Sequence, residues 1–368
     1  MTTSVLISGA GVGGSTLAYW LGRSGFRVTV VERATGQRSS GNPVDVRGPA
    51  LDVVEAMGIA AELRTAATRV DRLAFVDAQG RTRAGVRTGG GRDSGEFELS
   101  RAELAATLLR AARERAEIRW GDSITGLEPD GDRVGVTFEQ GAPAHFDYVV
   151  GADGLHSAVR RLAFGPERDF VRHRGFYVAT LPVERAHGAA DEVVMYNSPG
   201  LSLSVHPAGG KPLAAFIFRG KRVPDYDYRD MEQHRRLVLT AYAGRAGTFA
   251  DVLDQVRTAP DLYFDAVSQV RMPTWSRGRV TLLGDAGSSL SLFGDGSSLA
   301  IAGARTLAEE LAGAPGDPRG ALTRYEQRHR RLVAPKQRGF RVAGALLVPA
   351  SRPGIRLRDL AVSLAPRI

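Results

Sequence analysis

A glycine-rich turn near the N-terminus has the residue types and the spacing that bind a dinucleotide. Gly9, Gly11 and Gly14 lie between a short apolar run and a run of small and apolar residues with helical character. In a strand-helix-strand unit the first glycine permits a tight turn, the second lets a pyrophosphate approach the backbone, and the third lets helix and strand pack closely. The N–H groups at the start of the helix then face the phosphates. Glu32 ends the next strand, where its carboxylate would accept the ribose hydroxyls.

Two further short motifs follow strand-like apolar runs. Asp153-Gly154 lies mid-chain, and Gly284-Asp285-Ala286 lies nearer the C-terminus. Each motif alone is weak evidence. Their occurrence in this order predicts a protein that holds a flavin dinucleotide and uses it for redox chemistry.

Charged residues in two other segments are candidates for binding. Asp45 and Arg47 alternate on a short extended piece, where a surface ion pair is the simplest explanation. Ser100 and Glu103 have the spacing of a capping box at the start of a helix. Arg101 lies in the first turn of that helix, where a basic residue opposes the helix dipole. This placement indicates that an anionic ligand or partner lies there.

Composition excludes several classes of protein. The chain has 368 residues, of which 43% are hydrophobic and 24% charged, as expected for two joined globular domains. Because there is no cysteine, disulfides, thiolate metal sites and a cysteine nucleophile are excluded, and we predict no metal site. The net charge of +9 comes almost wholly from arginine, which attracts phosphate-bearing dinucleotides. Since these arginines are not gathered into one tract with aromatics, we expect no nucleic-acid partner.

Hydropathy predicts a cytoplasmic protein. No apolar run approaches the roughly 18 residues needed to span a bilayer. The first apolar run is a short strand and does not resemble a secretory leader. We expect no membrane span, and a monomer or a homodimer.

The order of elements predicts a mixed α/β fold. A Rossmann-like FAD-binding domain is interrupted by an antiparallel-sheet substrate domain and followed by C-terminal helices. The discontinuous FAD-binding domain is assigned to residues 1–70, 96–170 and 271–345. The substrate domain is assigned to residues 71–95 and 171–270, and the C-terminal helical segment to residues 346–368.

The order of the three motifs resembles that of the class A flavoprotein monooxygenases. This family of single-component aromatic hydroxylases includes para-hydroxybenzoate hydroxylase, tetracycline-modifying enzymes and polyketide-tailoring enzymes. The resemblance covers nearly the whole chain. It implies that NADPH or NADH reduces bound FAD, and that a flavin C4a-hydroperoxide formed with dioxygen hydroxylates or epoxidises an aromatic or polyketide-like substrate.

The resemblance also implies which residues hold the cofactors. The glycine-rich turn binds the FAD pyrophosphate, while Asp153 and Gly154 contact both FAD and the nicotinamide nucleotide. Asp285 holds the ribitol chain, and the helix that starts near Ser297 stabilises the reduced flavin with its N–H groups. The remaining cofactor contacts are assigned to Gly13, Glu32, Arg33, Arg38, Asp45, Arg47, Arg101, Gly294 and Gly296.

The segment at residues 287–296 departs from the family pattern. It is one residue shorter, lacks the usual proline beside the flavin, and has Asp295 where relatives have glutamine. An ionised Asp295 would oppose the negative charge of the reduced flavin, and each 1.4 kcal/mol of repulsion is about a tenfold effect. Either Asp295 points away, or it is paired, or it makes the flavin harder to reduce. Our hypothesis is that it lowers hydride acceptance.

The sequence identifies no catalytic residue beyond one weak candidate. Tyr177, Tyr196, His206 and Phe216 lie on the predicted second sheet, where half of the side chains should face the cavity. Of these, His206 is the candidate proton acceptor for a phenol or enol. His156 is expected to cap or pack at a helix start.

Other functions on the same fold stay open. One alternative is a flavin-dependent halogenase or a ring-saturating reductase. The tryptophan-isoleucine-proline motif of halogenases is absent, and Trp20, Trp120 and Trp275 are isolated, which disfavours halogenation. The second alternative is an FAD-binding protein whose pocket only binds or cyclises its ligand. The unusual segment at residues 287–296 keeps that alternative open.

Overall fold

A mainly parallel sheet forms the first layer of the fold. The structure is a computed structural model that describes residues 2–37, 42–87, 95–130, 132–207, 211–289 and 294–364. The sheet consists of β1 (Ser4–Ser8), β2 (Arg27–Glu32), β7 (Glu117–Trp120), β11 (Tyr148–Gly151), β17 (Ser276–Arg277) and β18 (Val280–Leu282). Its spatial order is β17-β18-β11-β1-β2-β7, with only the β17–β18 pair antiparallel. The apolar strand β1 is buried along its whole length, as expected in the middle of a parallel sheet.

Helices connect and cover these strands. They are α1 (Val12–Arg23), α2 (Pro49–Ala56), α3 (Ala60–Thr65), α4 (Arg101–Arg113), α5 (Ala158–Ala163), α6 (Glu167–Phe170), α9 (Asp285–Ser288), α10 (Asp295–Gly313) and α11 (Pro318–Leu347). The helix α1 contacts α4 and α10, and α10 contacts α11. The Ser100 hydroxyl caps α4 by accepting from the Glu103 N–H, so this half of the predicted capping box is present. None of the described helices is long and apolar enough to cross a membrane.

Two smaller sheets flank this layer. The first is antiparallel and consists of β8 (Ile124–Asp130), β9 (Arg133–Phe138) and β10 (Ala144–Phe146). The second is an antiparallel ribbon of β3 (Pro43–Val46) and β6 (Phe97–Ser100). In this ribbon Asp45 lies directly opposite Glu98.

A seven-stranded sheet forms the second layer. It consists of β4 (Arg72–Val76), β5 (Thr82–Arg87), β12 (Val171–Pro182), β13 (Glu192–Ser198), β14 (Leu201–His206), β15 (Leu213–Arg219) and β16 (Tyr263–Val270). The order is β16-β12-β15-β14-β13-β4-β5. Every pair is antiparallel except β4 with β13, which is parallel. The predicted antiparallel sheet is therefore present with one parallel pair.

Both faces of the seven-stranded sheet are covered. On one face, Leu203 and Phe216 pack with Tyr242 and Val252. These partners lie on α7 (Met231–Tyr242) and α8 (Ala250–Gln255), which a 3₁₀ turn (Gly247–Phe249) connects. On the other face, Phe176 and Val267 pack with Phe340 of α11. The last described helix, α12 (Arg352–Leu364), lies against β5 and β13.

Two large apolar clusters match these layers. One surrounds the six-stranded sheet, and the other lies between the seven-stranded sheet and α7 and α8. Separate cores are expected for separate domains. The clusters support two domains, and the boundaries given above remain our proposal.

His329 on α11 is buried without a hydrogen bond. Its side chain is 1% exposed, and neither ring nitrogen has a partner among the described residues. Trp275 and Tyr325 pack around the ring, and a Cβ on Gly303 would lie 2.7 Å from Nε2. Burial lowers the pKa of His329 to about 4 because it disfavours the charged imidazole. The folded protein therefore holds this ring neutral.

Replacing His329 with leucine should weaken the acid sensitivity of folding. Between pH 6.5 and pH 4 the unfolded chain protonates this histidine while the folded chain does not, so stability falls as pH falls. The shift corresponds to about 3 kcal/mol. Denaturant unfolding at both pH values should show a smaller loss in His329→Leu than in the parent. Equal losses in the parent and in His329→Leu would contradict the assignment.

Candidate active site

The glycine-rich turn follows β1 and leads into α1. A Cβ on Gly14 would lie 1.9 Å from the Gly9 carbonyl oxygen, and one on Gly9, where φ is 104°, would lie 2.6 Å from the Ala152 oxygen. A Cβ on Gly11 would meet nothing within 4 Å. No side chain caps α1, and its first turn has no acidic residue. The first and third glycines therefore allow close packing, while the second borders open space at a helix N-terminus suited to phosphate.

Glu32 holds the backbone around this turn. One carboxylate oxygen accepts from the Ala10 N–H at 3.0 Å and the other from the Ala34 N–H at 3.0 Å. The neighbouring Arg33 is exposed. The predicted contact Arg38 lies outside the described residues. Gly13 packs on Leu283, since its Cβ would lie 3.5 Å from that side chain.

Asp153 connects the end of β11 to α5. One carboxylate oxygen accepts from the Ser157 hydroxyl, and the other accepts from the Val159 N–H at 3.1 Å. Gly154 has a φ of 78°, which favours glycine. Burial raises the pKa of Asp153, while these hydrogen bonds oppose the rise. Ser157, and not His156, caps α5 by accepting from the Arg160 N–H, so of the two roles expected for His156 the structure has packing, against Tyr228, and not capping.

Arg160 is a buried residue of the site that the sequence analysis did not single out. Its side chain is fully buried, and Nη1 donates to the Ala286 carbonyl at 2.9 Å. Nη2 donates to the Leu155 carbonyl and lies 3.4 Å from the Glu167 carboxylate. The guanidinium therefore ties the segment after Asp153 to the segment after Asp285. An arginine that closely follows an Asp-Gly turn was the available signal.

Asp285 begins α9 directly after β18. Gly284 before it has a φ of 61°. Burial raises the pKa of Asp285, and the Arg101 charge opposes that rise. The start of α10 is close by, because a Cβ on Gly296 would lie 3.8 Å from the Asp285 carboxylate. Arg101, which opposes its own helix dipole, thus has an acidic residue within electrostatic range.

Ser297 and its neighbour Ser298 are buried at the start of α10. The Ser298 hydroxyl donates to the Asp45 carbonyl at 2.7 Å and accepts from the Arg47 N–H at 3.1 Å. A Cβ on Gly294, where φ is 72°, would lie 2.8 Å from the Asp45 carboxylate. These contacts fix the β3–β6 ribbon against the first turn of α10.

Asp295 is paired. Arg47 Nε donates to its carboxylate at 2.8 Å, and Lys336 Nζ lies 3.2 Å from the same oxygen. Arg47 also lies 3.4 Å from the Asp45 carboxylate. Of the three arrangements weighed for Asp295, the structure therefore has the paired one. The ion pair proposed for Asp45 with Arg47 belongs to this same network.

A cavity of about 640 Å³ adjoins the network. It lies between the β3–β6 ribbon and one face of the large sheet at the inner strands β4, β13 and β14, and Asp45, Arg47, Glu98, Met195 and His206 are among its lining residues. His206 Nε2 lies 3.1 Å from the Ser204 hydroxyl, and Nδ1 is buried with no partner in the described parts of the chain. Burial lowers the pKa of His206 to about 4, which makes it a weak base at neutral pH.

The other three residues considered with His206 do not face this cavity. Tyr177, Tyr196 and Phe216 belong to the cluster on the opposite face, under α7 and α8. The Tyr177 hydroxyl donates to the Lys221 carbonyl at 3.0 Å. Tyr196 and Phe216 therefore serve core packing, whereas Tyr177 packs in this core and also lines a second cleft.

A second cleft, of about 780 Å³, lies beside the Asp153 segment. His156 stacks on Tyr228 with ring centroids 4.1 Å apart, and its Nδ1 lies 3.2 Å from the Glu167 carboxylate. Four polar atoms around the cleft are buried without a hydrogen-bond partner among the described residues: His156 Nε2, His173 Nδ1, Tyr226 Oη and Asp265 Oδ1. Arg161 and Arg222 also line the cleft. Unpaired buried polar atoms are costly and indicate a missing polar partner.

The chain matches known flavoproteins along nearly its whole length. Residues 2–336 match the model of a family described as FAD binding domain. A flavin-dependent monooxygenase of Legionella longbeachae serogroup 1 (strain NSW150) is 32% identical over 351 residues, which is 94% of this chain and 90% of the relative. The crystal structure of tetracycline destructase Tet(55) superposes with a TM-score of 0.85 at 30% identity, covering 98% of this chain and 95% of that one. The chain belongs to this FAD-binding family. It is an FAD-dependent monooxygenase.

The residues of the site fit FAD. The turn at Gly11 has open space in front of unpaired helix N–H groups, as a pyrophosphate requires. The carboxylates of Asp153 and Asp285 lie at the carboxyl ends of neighbouring strands, where they can accept hydroxyl groups. The enzyme has no cluster of three or more potential metal ligands in its described ranges.

Two glycine variants should separate folding from FAD binding. Gly11→Ala should leave the stability of the apoprotein unchanged and weaken FAD binding at least tenfold, about 1.4 kcal/mol, because the new methyl group enters the phosphate space. Gly14→Ala should destabilise the apoprotein by about 3 kcal/mol, because its Cβ collides with the Gly9 carbonyl. Denaturant unfolding and FAD titration measure the two effects. Parental FAD affinity in Gly11→Ala would show that the pyrophosphate lies elsewhere.

Proposed function

We propose that the enzyme uses NADPH or NADH and dioxygen to hydroxylate or epoxidise an aromatic or polyketide-like molecule. The substrate binds in the cavity between the β3–β6 ribbon and the face of the large sheet at β13 and β14. The observation that carries this proposal is that Asp45 and Arg47 belong both to this cavity and to the network at the start of α10. A ligand in the cavity is therefore next to the residues assigned to FAD.

The glycine-rich turn, Glu32, Asp153 and Asp285 hold FAD in this proposal. Gly13, Gly154, Gly294, Gly296, Ser297, Arg33, Arg38, Asp45, Arg47 and Arg101 are proposed as further contacts. Bound FAD supplies the transfer of electrons from the reductant to dioxygen and of one oxygen atom to the substrate. The chain's own residues bind and orient the reactants and exclude water. Apolar Met195 and Val193 line one wall of the cavity and help to exclude water from it.

The cleft beside His156 is proposed as the binding site of the nicotinamide nucleotide. Arg161 and Arg222 supply positive charge for its phosphates, and the Tyr228 ring stacks against His156. The unpaired atoms of His156, Tyr226 and Asp265 can bond a polar ligand. Burial raises the pKa of Asp265 to about 6, with the His156 charge opposing the rise.

Relatives support a large, oxygen-rich substrate. The structural neighbour Tet(55) is a tetracycline destructase. Tetracycline is thus a reasonable first ligand, together with a panel of phenols and polycyclic aromatics. The volume of about 640 Å³ is in the range of cavities that hold such molecules.

Anaerobic titration with NADPH tests the proposed function. The absorbance of the bound flavin should bleach, and at least one ligand of the panel should accelerate bleaching tenfold or more. Arg222→Ala should raise the NADPH concentration for half-maximal reduction about tenfold, since a hydrogen bond to a charged group contributes about 1.5–3 kcal/mol. Arg319→Ala, at an exposed arginine outside the cleft, is the matched control.

Two results would contradict the proposal. A flavin that stays oxidised with both NADPH and NADH would favour the protein that only binds or cyclises its ligand. Equal effects of Arg222→Ala and Arg319→Ala would show that the nucleotide binds outside the cleft.

Asp295 is expected to tune the flavin. In Asp295→Asn the charges of Arg47 and Lys336 lose a counter-charge, so they stabilise the reduced flavin anion more strongly. We expect the two-electron potential to rise by about 30 mV, which is 1.4 kcal/mol. Lys336→Met should lower it. Potentials measured against a reference dye test this, and two unchanged values would show that the network is too far from the flavin or too well screened.

A further inference from the structure

The β3–β6 ribbon places two carboxylates directly opposite each other beside the substrate cavity. Asp45 and Glu98 are cross-strand partners, and both line the cavity. Like charges in this arrangement repel each other. A ribbon that keeps them is expected to hold a proton, a cation or a hydrogen-bond donor between them.

The two carboxylates have different partners. Asp45 lies 3.4 Å from Arg47, whereas Glu98 forms no ion pair with any described residue. Glu98 accepts one hydrogen bond, from the Thr68 hydroxyl at 2.9 Å. Two arginines at the cavity rim are engaged elsewhere, Arg64 with Glu55 and Arg72 with Glu192. Glu98 is therefore the carboxylate with capacity for a ligand.

The environment makes Glu98 a stronger base than an ordinary glutamate. Burial raises its pKa, with a further rise from the Asp45 charge, while the Thr68 hydrogen bond opposes the change. Burial also raises the pKa of Asp45, an effect that Arg47 opposes. The remaining charged groups that line the cavity are Glu96 and Arg69.

His206 stands on the opposite wall of the same cavity. Its buried Nδ1 has no partner among the residues described, so a polar ligand is expected there. Because its pKa is lowered to about 4, the ring stays neutral at pH 7 and takes up a proton poorly. It can still donate or accept one hydrogen bond.

We propose that Glu98 accepts the proton from a hydroxyl group of the substrate, while His206 positions the molecule from the other wall. The O–H bond of the substrate breaks, the proton moves to the Glu98 carboxylate, and the electron pair stays on the substrate oxygen. No electrons are transferred in this step. The resulting oxyanion is a more electron-rich target for oxygenation. This inference rests on the proposed function and narrows the substrate class to phenols and enols, excluding their O-alkyl ethers.

Paired ligands test the hydroxyl requirement. With 2-naphthol and 2-methoxynaphthalene as probes, product formation and flavin reduction by NADPH are measured in the FAD-loaded enzyme from pH 5 to pH 9. The parent should convert the naphthol at least tenfold faster than its ether, with a rate that rises with pH through the pKa of Glu98. In Glu98→Gln the ratio of the naphthol rate to the ether rate should fall toward one, and the rise of the naphthol rate with pH should disappear. Glu139→Gln, at an exposed glutamate, should behave as the parent does.

A second variant tests the assignment through the direction in which it shifts the pKa of Glu98. Thr68→Val removes the hydrogen bond that holds the Glu98 pKa down, so the rising limb should move to higher pH. A purely structural role for Glu98 would not produce this shift. The same titration, followed by carbon NMR of labelled glutamate carboxyls, gives the pKa of Glu98 without any ligand.

The outcomes distinguish the two proposals. A parent that is reduced and converts naphthol and ether equally overturns the role of Glu98 and leaves the monooxygenase function intact. If Glu98→Gln keeps both the faster conversion of naphthol and the rise of the rate with pH, the role of Glu98 is also overturned. A parent whose flavin responds to no member of the panel, including tetracycline, overturns the proposed function and this inference with it.

Discussion

The site depends on three parallel strands being neighbours in one sheet. The strands β18, β11 and β1 lie side by side, and each ends directly before one of the three motifs. Since parallel strands deliver their carboxyl ends to the same edge, residues more than 130 positions apart in the chain meet there. The register keeps Ser8, Gly151 and Leu282 level across the three strands. Any change that separated these strands would separate the motifs.

Close packing at this edge leaves little freedom for the backbone. Gly9 and Gly14 approach neighbouring carbonyl oxygens too closely for a Cβ. A Cβ on Gly151 would likewise collide with the Val159 side chain. Buried Arg160 then connects the second and third motifs through carbonyl groups of Leu155 and Ala286. Removing one partner of such a buried charge usually costs about 3–5 kcal/mol. These contacts constrain the backbone of the edge, and such pre-organisation lowers the entropy cost of binding a cofactor.

The local pattern of the sequence predicted the strand-helix-strand unit, the order of motifs and the second sheet. It could not predict contacts that depend on tertiary packing, such as Arg47 with Asp295, which are 248 positions apart. It also could not decide which face of the second sheet borders the cavity. Alternation along a strand predicts that Phe216 and its sequence neighbours point to opposite faces of the sheet. Because helices cover both faces, both are apolar, and hydropathy cannot tell them apart. His206 was singled out because histidine is the one residue of the four that can accept a proton near neutral pH.

In the proposed function, the β3–β6 ribbon connects the residues assigned to FAD to the proposed substrate cavity. The Asp45 carbonyl accepts from Ser298 on α10, and the Asp45 side chain is directed toward Arg47 and the cavity. A ligand that changes the protonation of Asp45 or Glu98 therefore changes the charge beside Arg47 and Asp295. In the proposed function that charge acts on the potential of bound flavin, because charges interact more strongly in a half-buried site than in water. The proposed function thus predicts that substrate binding and the potential of the flavin are linked by electrostatics.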